Sequence, residues 1–104
     1  MNYSPFFISE LYKKTKKNDK FISAIIYYKH AGYLYLDKNN MICLKGKDTK
    51  NLYRHEKYFL SNLKALLEYV NPINPILSQE NEIIYNKFNK YIKSDMIDKD
   101  LIRV

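Results

Sequence analysis

The residues best suited to acid–base chemistry in this sequence are its two histidines, His30 and His55, with Tyr53 and Arg54 directly before the second. A ribonuclease that works without a metal needs a general base, a general acid and a cation near the phosphorane, and these residue types supply all three. The pattern is consistent with a small metal-independent ribonuclease-like toxin that uses His30 and His55. The alternative interpretation is structural: the dipole at a helix C-terminus favours His30, and His55 lies on the surface.

Other catalytic and metal-binding motifs are not recognisable in the chain. It has no glycine-rich phosphate loop, no G-x-S-x-G turn and no metal-ligand spacing. Cys43, the only cysteine, lies in an alternating apolar run, which favours a small buried hydrophobic residue over a nucleophile. Asp95, Asp98 and Asp100 lie on a C-terminal tail and form no convincing catalytic pair. We therefore expect a non-enzymatic protein with no catalytic residue, no metal site and no cofactor.

Lysines interleaved with tyrosines are the second chemical feature. Lysines can neutralise phosphates, and exposed tyrosines can stack on bases. Arginine supplies most bidentate contacts to phosphates and bases but occurs only twice, so binding is expected to be mainly electrostatic and poorly sequence-specific. The predicted partner is nucleic acid or a nucleoprotein complex. The residues predicted to bind it are Lys13, Lys14, Lys16, Lys17, Lys20, Lys45, Lys47 and Lys50, with Tyr27, Tyr33 and Tyr35 as aromatic anchors. A tyrosine-rich surface is equally typical of protein interfaces, so a homodimer or another protein-interaction module is an alternative.

The excess of positive over negative charge lies in one half of the chain. Residues 1–57 contain twelve Lys or Arg and five acids, whereas residues 58–104 contain six of each, so the first half accounts for the formal net charge of +7. A one-sided field of this kind can steer anionic partners. The alternative is that the lysines reflect codon use and form a solvated face.

Codon use also bears on the origin of the chain. It contains 16 Lys, 12 Ile, 11 Asn and 11 Tyr, all of which have AT-rich codons. An AT-rich genome accounts for this composition. It suggests a phage or mobile-element accessory protein, for instance an inhibitor of a host nuclease or defence system.

Length and composition indicate one globular, soluble domain. The chain has 104 residues, of which 46% are hydrophobic and 28% charged. The first residues lack the basic and apolar regions of a secretory signal, and the longest apolar run, near residues 22–28, is too short for a membrane span. A lone cysteine cannot form an intramolecular disulfide. We expect a cytoplasmic location in a reducing environment, without attachment to a membrane.

Apolar spacing and capping residues predict four helices. The first begins after Ser4, the second covers residues 20–31 and ends at Gly32, the third covers residues 51–70, and the fourth begins after Ser78. The third is the longest periodic segment, about 30 Å long, so the other elements are expected to pack on it. The predicted apolar face of the first helix contains Phe7, Ile8, Leu11 and Tyr12.

The clearest strand signal is a β-hairpin over residues 33–44. Two apolar runs flank a segment of turn-forming residues, Asp37-Lys38-Asn39-Asn40. With a four-residue loop, the expected cross-strand pairs are Leu36–Met41, Leu34–Cys43, Tyr35–Ile42 and Tyr33–Leu44. Residues 95–104 are predicted to be a mobile tail or an edge strand. The expected fold is a small, helix-rich α+β domain of about four helices, with the hairpin between the second and the third.

Overall fold

The computed structural model describes residues 4–12 and 16–102, apart from the side chains of Tyr12, Lys17 and Asn18. In this part of the chain it contains five helices and a two-stranded antiparallel hairpin, which confirms the α+β prediction and the position of the hairpin. The elements in chain order are α1 (Pro5–Tyr12), α2 (Lys17–His30), β1 (Leu34–Leu36), β2 (Ile42–Leu44), α3 (Arg54–Ser61), α4 (Leu63–Tyr69) and α5 (Gln79–Asp98).

The predicted continuous helix over residues 51–70 is wrong, because the chain forms two successive helices, α3 and α4. The break lies at Asn62, whose backbone departs from helical geometry with φ −121° and ψ 27°. The Asn62 side-chain amide donates a hydrogen bond to the carbonyl oxygen of Tyr58 at 3.0 Å, a local interaction that competes with regular helix geometry. The first of the two helices also begins later than predicted, at Arg54. Its start is stabilised by Glu56, whose Oε1 accepts a hydrogen bond from the Tyr53 N–H at 3.0 Å.

The hydrophobic core is built around phenylalanine, and α5 packs along α1, α3 and α4. All five phenylalanines of the chain are at most 1% exposed. Four of their rings contact one another edge to face or at a tilt, whereas the ring of Phe7 contacts Tyr53 and His55. The core phenylalanines are Phe6, Phe7, Phe21, Phe59 and Phe88. Each buries a large apolar area, so the aromatic cluster supplies much of the driving force for folding.

The predicted apolar face of α1 is only partly correct. Phe6 and Phe7 are fully buried, whereas Ile8 and Leu11 are each 49% exposed. The two buried residues lie in the first turn of this eight-residue helix, which packs against α2 and α5. The side chain of Tyr12, the last residue of the predicted face, lies outside the described residues.

The register of the hairpin differs from the prediction by one residue. The observed pairs are Leu34–Leu44, Tyr35–Cys43 and Leu36–Ile42. The loop therefore has three residues, 38–40, and ends in the left-handed residue Asn40 with φ +61°. Asp37 holds this turn, because its Oδ1 accepts hydrogen bonds from the N–H groups of Asn39 at 2.8 Å and of Met41 at 2.9 Å. A shift of one residue moves every side chain of β2 to the other face, so Tyr35 shares its face with Cys43.

The helix boundaries at Gly32 and Ser78 are confirmed. Gly32 has φ +88°, and the Tyr33 N–H donates to the Tyr28 carbonyl oxygen at 2.9 Å, which closes α2 as a left-handed glycine allows. Ser78 Oγ accepts a hydrogen bond from the Asn81 N–H at 3.1 Å at the start of α5.

The C-terminal segment is more regular than expected. Residues 95–98 belong to α5 and not to an edge strand. Asp100 follows the helix in the left-handed region with φ +57°, and the Leu101 N–H donates to the Met96 carbonyl oxygen at 2.9 Å. Leu101 and Ile102 then pack partly buried against the core. The segment up to residue 102 is therefore part of the packed structure.

Candidate functional site

The candidate site is a cavity of about 420 Å³ between the C-terminal end of α2 and the start of α3, here called the α2–α3 cavity. Three of the residues that line it can contact a ligand by stacking or by charge: Tyr27, Tyr33 and Lys47. Two buried polar residues, Ser4 and Glu56, also line it. The cavity thus combines an aromatic and cationic rim with a polar interior.

The turn at the end of α2 positions this rim. Because Gly32 reverses the chain, Tyr33 lies beside the last turn of the helix. Lys47 Nζ donates a hydrogen bond to the Ala31 carbonyl oxygen at 2.7 Å, where the helix dipole favours a cation. The same ammonium lies 4.6 Å from the centre of the Tyr33 ring, within cation–π range. Lys47 and Tyr33 therefore form one ordered unit at the mouth of the cavity.

A second, smaller cavity lies beside the α2–α3 cavity at Tyr33 and Lys47. It has a volume of about 120 Å³ and shares Tyr33 and Lys47 with the α2–α3 cavity. Lys57 and Gly46 also line it. The lysines of residues 45–50, here called the lysine loop, are exposed beside this surface.

Beneath the cavity, three polar side chains form a series of hydrogen bonds, here called the buried triad: Ser4 directly before α1, His55 in α3 and Asp95 in α5. Ser4 Oγ lies 2.7 Å from His55 Nε2, and His55 Nδ1 lies 2.7 Å from Asp95 Oδ2. His55 is 0% exposed and Ser4 is 2% exposed. The same Asp95 oxygen also accepts a hydrogen bond from the His55 backbone N–H at 3.0 Å. Burial lowers the pKa of His55 below its ordinary value, against the opposing effect of Asp95 and Glu56.

A second buried pair borders the triad. The Tyr28 hydroxyl donates a hydrogen bond to the Glu56 carboxylate, and Tyr28 is fully buried. Burial and then the negative charge of Glu56 raise the pKa of Tyr28 well above its ordinary value, so Tyr28 remains a neutral donor at neutral pH. Glu56 accepts bonds from both Tyr28 and the Tyr53 N–H, which satisfies its carboxylate within the core.

The structure brings together only some of the residues predicted to bind nucleic acid. Tyr27, Tyr33 and Lys47 line the α2–α3 cavity, with Lys45 and Lys50 exposed in the same loop. Tyr35 is exposed farther along β1 and lines neither of the two cavities.

The two predicted lysine clusters are far apart. Lys16 is exposed at the start of α2, whereas Lys47 contacts its end, and a helix of 14 residues is about 21 Å long. Lys20 is only 9% exposed, and its Nζ lies 4.0 Å from Glu10 Oε1, so it is not available on the surface as predicted. Lys13, Lys14 and the side chain of Lys17 lie outside the described residues.

The two histidines do not share a surface site. His30 is exposed at the last turn of α2, whereas His55 is fully buried and uses both ring nitrogens within the triad. The prediction that His55 lies on the surface is wrong, because its helix presents His55, Glu56 and Phe59 to the core. A role for His55 in RNA cleavage would require substrate to reach it through Ser4.

The sequence interpretation missed the polar residues of the core. The sequence predicts Ser4 only as the cap of α1, whereas its hydroxyl also contacts His55. It predicts Asp95 on a tail, whereas Asp95 lies in α5. A usable signal was present in α5, since Phe88, Ile92 and Asp95 recur at helical spacing and place Asp95 on the buried stripe. Cys43 is half-buried beside the hairpin turn, with its Sγ 3.9 Å from Asp37 Oδ2.

The part of the chain that the structure describes has neither a group of potential metal ligands nor a helix suited to crossing a membrane. No three His, Cys, Asp or Glu side chains there converge in a way that could hold a metal ion. None of the helices found there has both the length and the apolar character that crossing a bilayer demands. Comparison of the chain with models of protein families, with curated proteins and with solved structures finds no match.

Proposed function

We propose that the protein binds single-stranded nucleic acid, with bases in the α2–α3 cavity and phosphates on the lysine loop. The observation that carries this proposal is the unit formed by Tyr33 and Lys47, which sets an aromatic ring and a cation 4.6 Å apart at the mouth of a cavity. Single-stranded nucleic acids are bound by this combination, because every base has a face that can stack and every phosphate has a charge.

The shape of the site supports a single strand over a duplex. An unstacked base can enter a concave site of about 420 Å³ that Tyr27 and Tyr33 line, whereas the bases of a duplex are stacked on their neighbours. Lys45 and Lys50 are exposed in the same loop as Lys47, and Lys57 lines the smaller neighbouring cavity, so phosphates that flank an inserted base would have lysines nearby.

The distribution of charge supports an electrostatic mode of binding. The net charge of +7 comes from the half of the chain that contains the rim, and its cations are almost all lysines. Affinity is therefore expected to depend strongly on salt and weakly on sequence. An accessory protein of a phage or mobile element that acts on a nucleoprotein complex of its host would fit this mode.

The test is binding to labelled single-stranded and duplex oligonucleotides over a range of salt concentrations. Three or four neutralised phosphates on a single strand give a slope of log K against log salt of about −2 to −3. The discriminating variant is the triple change Lys45→Glu, Lys47→Glu and Lys50→Glu, which should abolish binding. Tyr33→Leu should weaken it about 5- to 150-fold, the range for loss of one stacking contact.

The matched control is Lys64→Glu, Lys90→Glu and Lys93→Glu, which changes the net charge equally but alters exposed lysines of α4 and α5. It should retain most of the affinity. Equal losses in the two triple variants would mean that net charge alone attracts the oligonucleotide. Absence of binding by the unmodified protein at low salt would refute the proposal.

A further inference from the structure

The buried triad has the hydrogen-bond order of a serine nucleophile, its general base and the carboxylate that orients the base. An ionised carboxylate can only accept hydrogen bonds, so Asp95 requires the proton of His55 to be on Nδ1. Nε2 then has a free lone pair, and the Ser4 hydroxyl donates to it at 2.7 Å. This is the tautomer and the order of groups that removes a proton from a serine during acyl transfer.

Ser4 connects the buried triad to the α2–α3 cavity. Ser4 lines the α2–α3 cavity, whereas His55 and Asp95 lie behind it in the core. Ser4 precedes Pro5, and its Oγ accepts a hydrogen bond from the Phe6 N–H at 3.2 Å, which holds the side chain at the start of α1. Burial also lowers the pKa of His55, which favours the neutral imidazole with an Nε2 lone pair that can accept a proton.

The walls of the cavity indicate the class of substrate. Tyr27, Tyr33 and Tyr53 line it and offer flat apolar surfaces, so a small molecule with an aromatic group would bury well. Lys47 brings positive charge to the same cavity, where negative charge develops on a carbonyl oxygen under attack.

We propose that Ser4 is the nucleophile of a hydrolase that acts on small aromatic carboxylic esters in the α2–α3 cavity. Ser4 Oγ forms a bond to the carbonyl carbon as His55 Nε2 takes its proton, and the bond to the leaving alcohol then breaks as that alcohol receives the proton. Water then attacks the acyl group, His55 Nε2 takes a proton from the water, and the carboxylic acid departs as the proton returns to Ser4. Asp95 is a positioning residue that holds the His55 tautomer. This activity needs no nucleic acid, so it stands or falls separately from the function proposed above.

The experiment uses the full chain with a fluorophosphonate, a reagent that labels activated serines covalently, followed by intact mass measurement and peptide mapping. The expected result is one adduct per chain, located on Ser4. The same protein should hydrolyse p-nitrophenyl acetate, and prior labelling should remove that activity. Ser4→Ala should abolish both.

A matched control is available in Ser78, which caps α5 as Ser4 caps α1 but has no His55 beside it. Ser78→Ala should leave labelling and hydrolysis unchanged. Asp95→Asn should lower the labelling rate about tenfold or more, because it permits the wrong tautomer of His55. Circular dichroism and a thermal melt of each variant show whether it is folded. A folded, unmodified protein that gains no adduct on Ser4, or that reacts as fast at Ser78, would overturn the proposal.

Discussion

Asp95 Oδ2 lies 2.7 Å from Nδ1 of His55 and 3.0 Å from the backbone N–H of the same residue. This one carboxylate oxygen joins the last turns of α5 to the first turn of α3, across 40 residues of sequence. Both hydrogen bonds are buried, so they are shielded from competition with water. The bond pair is therefore expected to stabilise the fold whether or not the triad is catalytic.

Removal of the Asp95 carboxylate should lower the free energy of unfolding substantially. Asp95→Ala leaves two buried donors of His55 without an acceptor, and the expected loss in the free energy of unfolding is about 2–4 kcal/mol. Urea denaturation followed by circular dichroism measures it. Asp98→Ala, three residues later on the exposed side of α5, should change this free energy by less than about 0.5 kcal/mol. Similar effects of the two changes would show that Asp95 is not paired.

Acidification should destabilise the protein through His55. Its pKa is lowered on folding, chiefly by burial, so the unfolded chain binds a proton near pH 6.5 that the folded chain does not. The stabilising contribution is complete above that pH and is lost as the pH falls from 6.5 towards the lower pKa of the folded state.

Unfolding free energies measured between pH 8 and pH 5 test this dependence. His30→Gln should retain the same loss of stability at low pH, since His30 is exposed. His55→Gln should be less stable at pH 8 and should show a flatter profile between pH 6.5 and pH 5. An unchanged profile in His55→Gln would contradict the assignment.

Within α1, Phe6 should contribute far more stability than Ile8. Phe6 contacts Phe59 and Phe88 at ring-centre distances of 4.9 and 4.8 Å, so Phe6→Ala opens a cavity and should cost about 3–5 kcal/mol. Ile8→Ala removes a side chain that is already 49% exposed and should cost less than about 1 kcal/mol. Thermal or urea unfolding of the two variants gives the comparison. A larger loss in the free energy of unfolding for Ile8→Ala than for Phe6→Ala would contradict this prediction and support the apolar face predicted from the sequence.

In the three-residue loop of the hairpin, Asn40 and Asn39 differ in backbone conformation, so the same substitution should cost more stability at Asn40. Asn40 has φ +61°, a conformation that a β-branched residue adopts only with strain, so Asn40→Val should cost about 1–2 kcal/mol. Asn39 has no positive φ, and its Asn39→Val variant should lose less than about 0.5 kcal/mol. Urea unfolding of both variants measures the difference, and equal losses would contradict the left-handed conformation of Asn40.

Local interactions made several features predictable from the sequence. Gly32 ends α2 because the residue after the helix has φ +88°, and Ser78 caps α5 through the nearby Asn81 N–H. The hairpin was also predicted, but its register was not, since Asp37 holds a three-residue turn that composition alone does not distinguish from a four-residue one.

The sequence by itself determined the α+β class, the position of the hairpin, the end of α2 at Gly32 and the start of α5 at Ser78, because these depend on residues within a few positions of one another. Only the tertiary structure decided that Ser4, His55 and Asp95 meet, since the chain separations are 51 and 40 residues. It likewise brought Lys47 to the end of α2 and left Lys20 buried. The physical reason is packing: burial of the five phenylalanines selects one arrangement of helices, and that arrangement sets which polar side chains meet and which are exposed.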